Sequence, residues 1–341
     1  SFHFSQNAGG EYTMSMAYLL AWQGPVLEEE DPYGDGYSPD GLSPACHVQE
    51  IQVLPEKDYE AVKRAVYLYG GVQSSLYTAM VSDRDDMHYY RKETGAYWYN
   101  GDEKPNHDVV IIGWDDHYSR DNFNQPPEGD GAFICANSWG GEFGGRWVFF
   151  TVSYYDTNIG IHNILYSGIE SADNYDHIYQ ADLCGWVGQL GYGKESAFFC
   201  QYLYGRGERR AGGSRLLCNR GKYIVSGIYR DGRRRAAPSS GGAERWLPGR
   251  LRTPDIIRFL LDKTVTLEAG ERFAVIVEIT TPGAIHPVAI EYSSPDKGLT
   301  VDLSDGEGYI SYRGSSWERV ETEQNCNVCL KAYTRNVDSW N

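Results

Sequence analysis

The sequence predicts two domains of different class: an α+β half over residues 1–170 and an all-β sandwich over residues 174–341. Three observations carry this. Helix-period apolar spacing occurs early in the chain, interleaved with short strand-like runs. The pattern turns polar near Glu170 to Asp176. Beyond it nearly everything reads as short strands and turns, and 341 residues suffice for two ordinary domains.

In the first half, Glu11 to Trp22 predicts a helix, with apolar Tyr12, Met16, Leu19 and Leu20. Val26 to Pro44 is rich in Gly, Pro, Asp and Glu and reads as a loop. Asp58 to Tyr69 predicts a second helix whose apolar face carries Tyr59, Val62, Val66 and Tyr69, closed by Gly70 and Gly71. Strands are expected at Val72–Leu76, Val109–Trp114, Ala132–Ala136 and Arg146–Val152. In the second half, strands are expected at Ser196–Tyr204, Lys222–Tyr229, Thr264–Leu267, Arg272–Thr280, Val288–Tyr292, Tyr309–Tyr312 and Asn327–Tyr333. Turn pairs such as Asp231-Gly232 and Ala269-Gly270 separate them, the spacing of an antiparallel sandwich. Phe273 to Ile279 is apolar almost throughout, as a central strand would be. Arg230 to Ala243 reads as a flexible loop or insertion, and there is no internal repeat.

A formal net charge of −16 disfavours nucleic acid and anionic membranes as partners. About half of the 31 lysines and arginines nevertheless lie between Arg206 and Lys263, most simply as a solvated loop. No apolar run is long enough for a transmembrane helix, so no membrane insertion is expected, and no signal peptide is evident. The seven cysteines are scattered. Cys326 and Cys329 form a CxxC without a second pair at zinc spacing, and read as core thiols. The acidic loops Glu28–Asp40 and Asp115–Asp130 lack EF-hand spacing and read as solvated, so no metal site is assigned.

Two segments carry chemistry. Asn106-His107-Asp108-Val109-Val110-Ile111-Ile112-Gly113-Trp114 sets a histidine at the mouth of a buried strand. Ala136-Asn137-Ser138-Trp139-Gly140-Gly141-Glu142-Phe143-Gly144-Gly145 sets an amide at the end of another. An amide oxygen accepting the Nδ1 hydrogen of His107 would fix the ring and leave Nε2 to exchange a proton with a nucleophile. Trp139 would cover that bond and strengthen it by excluding water.

These segments resemble the histidine and asparagine motifs of the papain-like cysteine peptidases, in order and in separation. The resemblance implies that His107 and Asn137 are catalytic. It implies that Gly9 and Gly10, before the first helix, offer backbone to an extended substrate strand. Asn106, Asp108 and Trp139 would complete the substrate-binding set. Asp108 stands where the family has a small apolar residue lining its main specificity pocket: it would point into or beside that pocket and favour a basic residue two positions before the scissile bond, or turn away to pair with a basic neighbour. Phe143 stands where a second tryptophan is common. In the second half, Tyr175–Gln180, Arg272–Thr280, Gly308–Tyr312 and Ser315-Ser316-Trp317 resemble the lectin-like domain of clostridial cell-surface cysteine proteases.

One element of the family is missing. Its nucleophile opens a long helix in a Q-G-x-C-G-x-C-W type motif, which this chain lacks, and Ser1 falls just after where that helix would end. Cys46 sits in a Pro-rich loop and Cys135 inside a strand, and neither opens a helix that would lower a thiol pKa. The resemblance thus implies a bacterial, secreted or cell-surface thiol endopeptidase acting on peptides or proteins. Its catalytic cysteine would come from a separate or removed N-terminal chain, and no cofactor is needed. The alternative is an inactive papain-like platform that binds glycan or cell wall through the sandwich. Transglutaminase-type acyl transfer also uses Cys and His, but the motif at Asn137 speaks against it.

Overall fold

The computed structural model describes residues 9–34, 37–78, 88–139, 149–205, 209–218, 222–230, 246–250, 255–304 and 306–336, with backbone only between 206 and 264. Its contacts gather into two compact units, residues 52–167 and residues 1–51 together with 168–341.

Helix α1 spans Tyr12–Leu20 and buries Met16, Ala17 and Leu20. The loop after it leads to strand β1 (Cys46–Leu54). β1 was not expected, because polar His47 and Gln49 are buried beside Val48 and break the period-2 signal.

In the 52–167 unit, helix α2 (Tyr59–Tyr69) starts at Asp58, whose side chain accepts from the Ala61 N–H at 3.0 Å. It stops at Gly70, with φ of 100°. Such a cap contributes about 1 kcal/mol. The buried face is Val62, Ala65 and Val66. Tyr69 was expected on this face but is 51% exposed, because it is the last residue of the helix and no further turn follows to bury it. Strands β2 (Val72–Leu76), β3 (Tyr90–Arg91), β4 (Ala96–Tyr97), β5 (His107–Asp115), β6 (Ala132–Ala136) and β7 (Phe149–Ser153) follow. β8 (Ile161–Ser171) completes a sheet in the order β8-β2-β5-β6-β7-β4-β3. β8 also escaped prediction. Its Asn163 is fully buried, with Nδ2 donating to Gly160 O at 2.7 Å and Oδ1 accepting from Ser74 Oγ at 3.0 Å. Alternation on β2 and β5 sends Val72, Leu76, Val109 and Ile111 into the core and Gln73, Ser75 and Asp108 to the opposite face.

The other unit adds β9 (His177–Tyr179), β10 (Gly188–Leu190), β11 (Ser196–Tyr204), β12 (Arg209–Cys218), β13 (Lys222–Arg230), β14 (Trp246–Arg250), β15 (Asp255–Leu267), β16 (Arg272–Thr280), β17 (Val288–Glu291), β18 (Gly308–Ser311), β19 (Glu318–Arg319), β20 (Asn327–Val328) and β21 (Leu330–Asn336). β16 pairs with β11 on one side and β13 on the other, so the apolar run Phe273 to Ile279 is central, as expected. Its sheet runs β14-β13-β16-β11-β18-β19. Phe199, Phe273, Val275, Val277 and Ile279 pack against Val288, Val328, Leu330 and Ala332 from the second layer. Each such side chain contributes about 1.5–3 kcal/mol when fully buried. Cys326 and Cys329 lie buried as free thiols. Of the expected loop or insertion Arg230 to Ala243, Arg230 ends β13 and residues 231–243 lie outside the described residues.

This unit also recruits the start of the chain. The His47 ring stacks on Trp22 at 3.6 Å and 3°, and Trp22 meets Tyr333 at 5.0 Å. His47 Nδ1 lies 2.6 Å from Asn174 Oδ1, and Gln180 Nε2 donates to Ala21 O at 3.1 Å.

A buried polar cluster supports β17. Glu291 accepts from the Cys184 N–H at 2.6 Å and from Asn327 Nδ2 at 2.9 Å, and Lys331 Nζ donates to Asp182 Oδ1 at 2.7 Å. Burial, and then the Asp182 charge, pushes the Glu291 carboxyl up to about 7, against the pull of its hydrogen bonds and of Lys331. The folded chain therefore holds this proton at pH values where the unfolded chain has lost it. The contribution is full below the ordinary value of 4.5 and is lost as pH rises through about 7. We expect Glu291→Gln to remove roughly 3 kcal/mol of this pH dependence, read from urea unfolding of both proteins between about pH 4 and pH 8.

Candidate active site

His107 opens β5, and its approach is locked by its neighbour. Asn106 Oδ1 accepts from Thr78 N at 2.7 Å and from Thr78 Oγ1 at 3.1 Å, while its Nδ2 donates to Thr78 O at 3.0 Å. Asn106, expected to bind substrate, thus has both ends of its amide engaged in fixing the chain just before the histidine. Asn137 directly follows β6. The antiparallel register pairs Val110 with Ala136, and continuing it sets Trp139 across from His107.

The expected histidine–asparagine pair is present. His107 Nε2 lies 2.9 Å from Asn137 Oδ1. The ring of Trp139 lies 4.5 Å from the imidazole at 34°, while the indole keeps 41% of its surface exposed. The nitrogen was misassigned, however. The expectation placed Nδ1 on the amide and left Nε2 free, whereas the structure turns Nε2 to Asn137. The amide orientation is fixed independently, because the backbone N–H of Ser138 also donates to Asn137 Oδ1, at 2.8 Å. That atom must be an oxygen, and an amide oxygen only accepts. His107 Nε2 therefore carries the proton, and in the neutral ring Nδ1 holds the lone pair. Sequence alone does not give the χ2 of a histidine, which decides the matter. Asn137 is buried, and its Nδ2 has no hydrogen-bond partner among the described residues.

Asp108, next on β5, lies across from Ser75. It was expected to point into a pocket or to pair with a basic neighbour. Its Oδ1 accepts from Ser75 Oγ at 2.5 Å and its Oδ2 from Gln73 Nε2 at 3.1 Å, neither of them a basic group. Ser75 Oγ also meets His162 Nδ1 at 3.1 Å, and Tyr166 donates to Gln73 Oε1 at 3.1 Å. These four partners were not singled out from the sequence. The signal available was alternation in Val72-Gln73-Ser74-Ser75-Leu76, which sends Gln73 and Ser75 to the side that Asp108 shares.

Gly9, with φ of 71°, and Gly10 stand exposed just before α1 in the other unit. A Cβ on Gly10 would come within 3.2 Å of Met14 Sδ. Phe143 and the glycines from 140 to 145 lie outside the described residues. Cys135 is the only cysteine in the unit that holds His107. It is fully buried inside β6, and burial, then the charge of Asp156, pushes its thiol well up. Such a thiol is inert as a nucleophile. Cys46 begins β1 and does not open a helix.

Comparison with known proteins agrees with this geometry. The profile of the papain family of cysteine proteases matches residues 5–169, and that of the lectin-like domain matches residues 241–334. No curated protein matches the chain. A structure of the clostridial cysteine protease Cwp84 after propeptide cleavage is similar, with a TM-score of 0.84 and 22% identity over 98% of this chain and 84% of that one. A second structure holds the cysteine protease and lectin-like domains of Cwp84, a surface layer associated protein of Clostridium difficile. It gives a TM-score of 0.81 at 22% identity, covering 98% of this chain and 75% of that one. The chain thus carries a papain-like domain, matched over residues 5–169 and holding the His107–Asn137 pair, followed by a lectin-like β region, matched over residues 241–334.

Proposed function

We propose that the chain works as a secreted or cell-surface cysteine endopeptidase on peptides or proteins, with its nucleophilic cysteine supplied by a separate or removed N-terminal segment. The observation that carries this is the oriented imidazole: Asn137 holds Nε2–H, so Nδ1 is the atom available to a thiol. In this reading Nδ1 takes the thiol proton, and the thiolate attacks the peptide carbonyl. The imidazolium then returns its proton from Nδ1 to the leaving amine. Asn137 stabilises the charged ring throughout, and Trp139 shields the bond. Water, giving a proton to the same Nδ1, then cleaves the thioester, releases the acid and restores the thiol, so no cofactor is needed. The absence of a helix-opening cysteine among the described residues, together with the buried Cys135, supports a companion segment. We read residues 1–170 as the peptidase domain and 174–341 as the lectin-like domain. Its match to lectin-like proteins supports a role in holding the enzyme to glycan or cell wall.

An epoxysuccinyl peptide inhibitor should label the companion segment and abolish peptidase activity, as read by mass spectrometry of the digested complex. Adducts on Cys46 or Cys135 with loss of activity would overturn the assignment. In the active enzyme, Asn137→Ala should lower kcat/KM by about tenfold, the worth of one hydrogen bond to a charged ring. Where nitrogen NMR sees the neutral ring of His107, it should show the Nε2–H tautomer, and a neutral ring protonated at Nδ1 alone would contradict the geometry.

A further inference from the structure

The side of β2 and β5 turned away from the core carries a continuous chain of polar side chains. Its hydrogens have one consistent direction. A carboxylate only accepts, so Ser75 spends its single hydroxyl hydrogen on Asp108 Oδ1, at 2.5 Å. Ser75 Oγ must then be the acceptor in its contact with His162 Nδ1, at 3.1 Å, and that nitrogen carries a proton. On the other side, Tyr166 donates to Gln73 Oε1, and Gln73 Nε2 donates to Asp108 Oδ2. Two converging relays, from His162 and from Tyr166, therefore end on one carboxylate.

His162 reaches Ser75 from an unusual backbone. Its φ is 50°, in the left-handed region that side chains other than Gly, Asn and Asp rarely adopt. It follows Gly160, whose carbonyl accepts from Asn163 Nδ2 and whose N–H donates to Ser74 Oγ. A residue held in such a conformation persists where its surroundings over-determine it, which is frequent at binding sites.

We propose that His162 is a specificity-determining positioning residue: through Ser75 it holds the Asp108 carboxylate as a fixed anionic acceptor for a Lys or Arg side chain of the substrate. This rests on the reading of Asp108 as facing the residue two positions before the scissile bond. Each carboxylate oxygen has further lone pairs beyond the one used by Ser75 or Gln73, so a guanidinium or ammonium can be received without breaking either relay. Both oxygens are fixed before substrate arrives, so little ordering entropy is lost when the cation binds.

The test compares two peptide substrates, with Arg or Leu at that position, on the full active protease including its companion segment. The wild type is expected to favour Arg, and Asp108→Ala to cut the Arg-to-Leu ratio of kcat/KM by about tenfold or more. His162→Gly keeps the positive φ without strain and loses the donor. It should cut the ratio by about threefold to tenfold, the worth of one hydrogen bond, and leave the Leu substrate unchanged. Ser75→Ala removes the same link from another strand and should act alike. His162→Asn tolerates the same backbone, offers Nδ2–H where Nδ1–H stood, and should restore the ratio. If Asp108→Ala changes the ratio while His162→Gly matches the wild type, His162 has no part in selection, whatever Ser75→Ala does through its own bond to Asp108. If Asp108→Ala leaves the ratio unchanged, the reading of Asp108 itself fails.

Discussion

The hydrogen bond from His107 Nε2 to Asn137 Oδ1 is the constraint on which the site depends. It joins the first residue of β5 to the residue just after β6, so it forms only if those strands keep their register. A slip of one residue would turn His107 to the other side of the sheet. The register is in turn held by a core in which Ile111, Phe133, Cys135 and Phe150 are buried together. The Asn106 clamp on Thr78 fixes the backbone just ahead of the ring, and Ser138 N–H fixes the amide that receives it. Packing, strand pairing and side-chain chemistry all act on one imidazole.

How much of this was legible in the sequence depended on how far each feature is a local property. Phe273 to Ile279 read as a central strand because an uninterrupted apolar run has few other places to go, and β16 is paired on both sides. Helix α2 was legible from its spacing, with Asp58 and Gly70 as its stops. Strands β1 and β8 were hidden because they bury His47, Gln49 and Asn163, and a buried polar residue looks like a surface one until its partners are known. The motif at His107 and Asn137 announced a pair, but the choice of ring nitrogen is a torsion angle that composition and spacing do not encode.

The surroundings of Asp108 show the same boundary. Its position after the histidine marked it as unusual, and the sequence offered either an open pocket or a basic partner. The partners found are neutral hydroxyl and amide groups on a neighbouring strand, with a histidine one step beyond. They come from positions 73, 75, 162 and 166, and only strand pairing brings these together. A charged residue set among donors of fixed direction is a different object from the same residue in an open pocket. Its worth for recognition lies in being held still.

The flat stack of Trp22 on His47 bears on how such proteins can be rearranged in evolution. Trp22 and His47 come from the papain-family segment, whereas Asn174 and Tyr333, which complete the cluster, come from beyond it. The lectin-like part is therefore no cassette on a tether. It packs against Trp22 and His47 and receives Ala21 O on Gln180. Its loss would deprive His47 of its amide partner and uncover an indole and an imidazole, exposing apolar ring surface to water. Exchange of accessory modules between relatives would have to carry residues 1–51 along, or replace these four side chains together. Inheritance of the two parts is coupled by a contact that neither chemistry nor recognition requires.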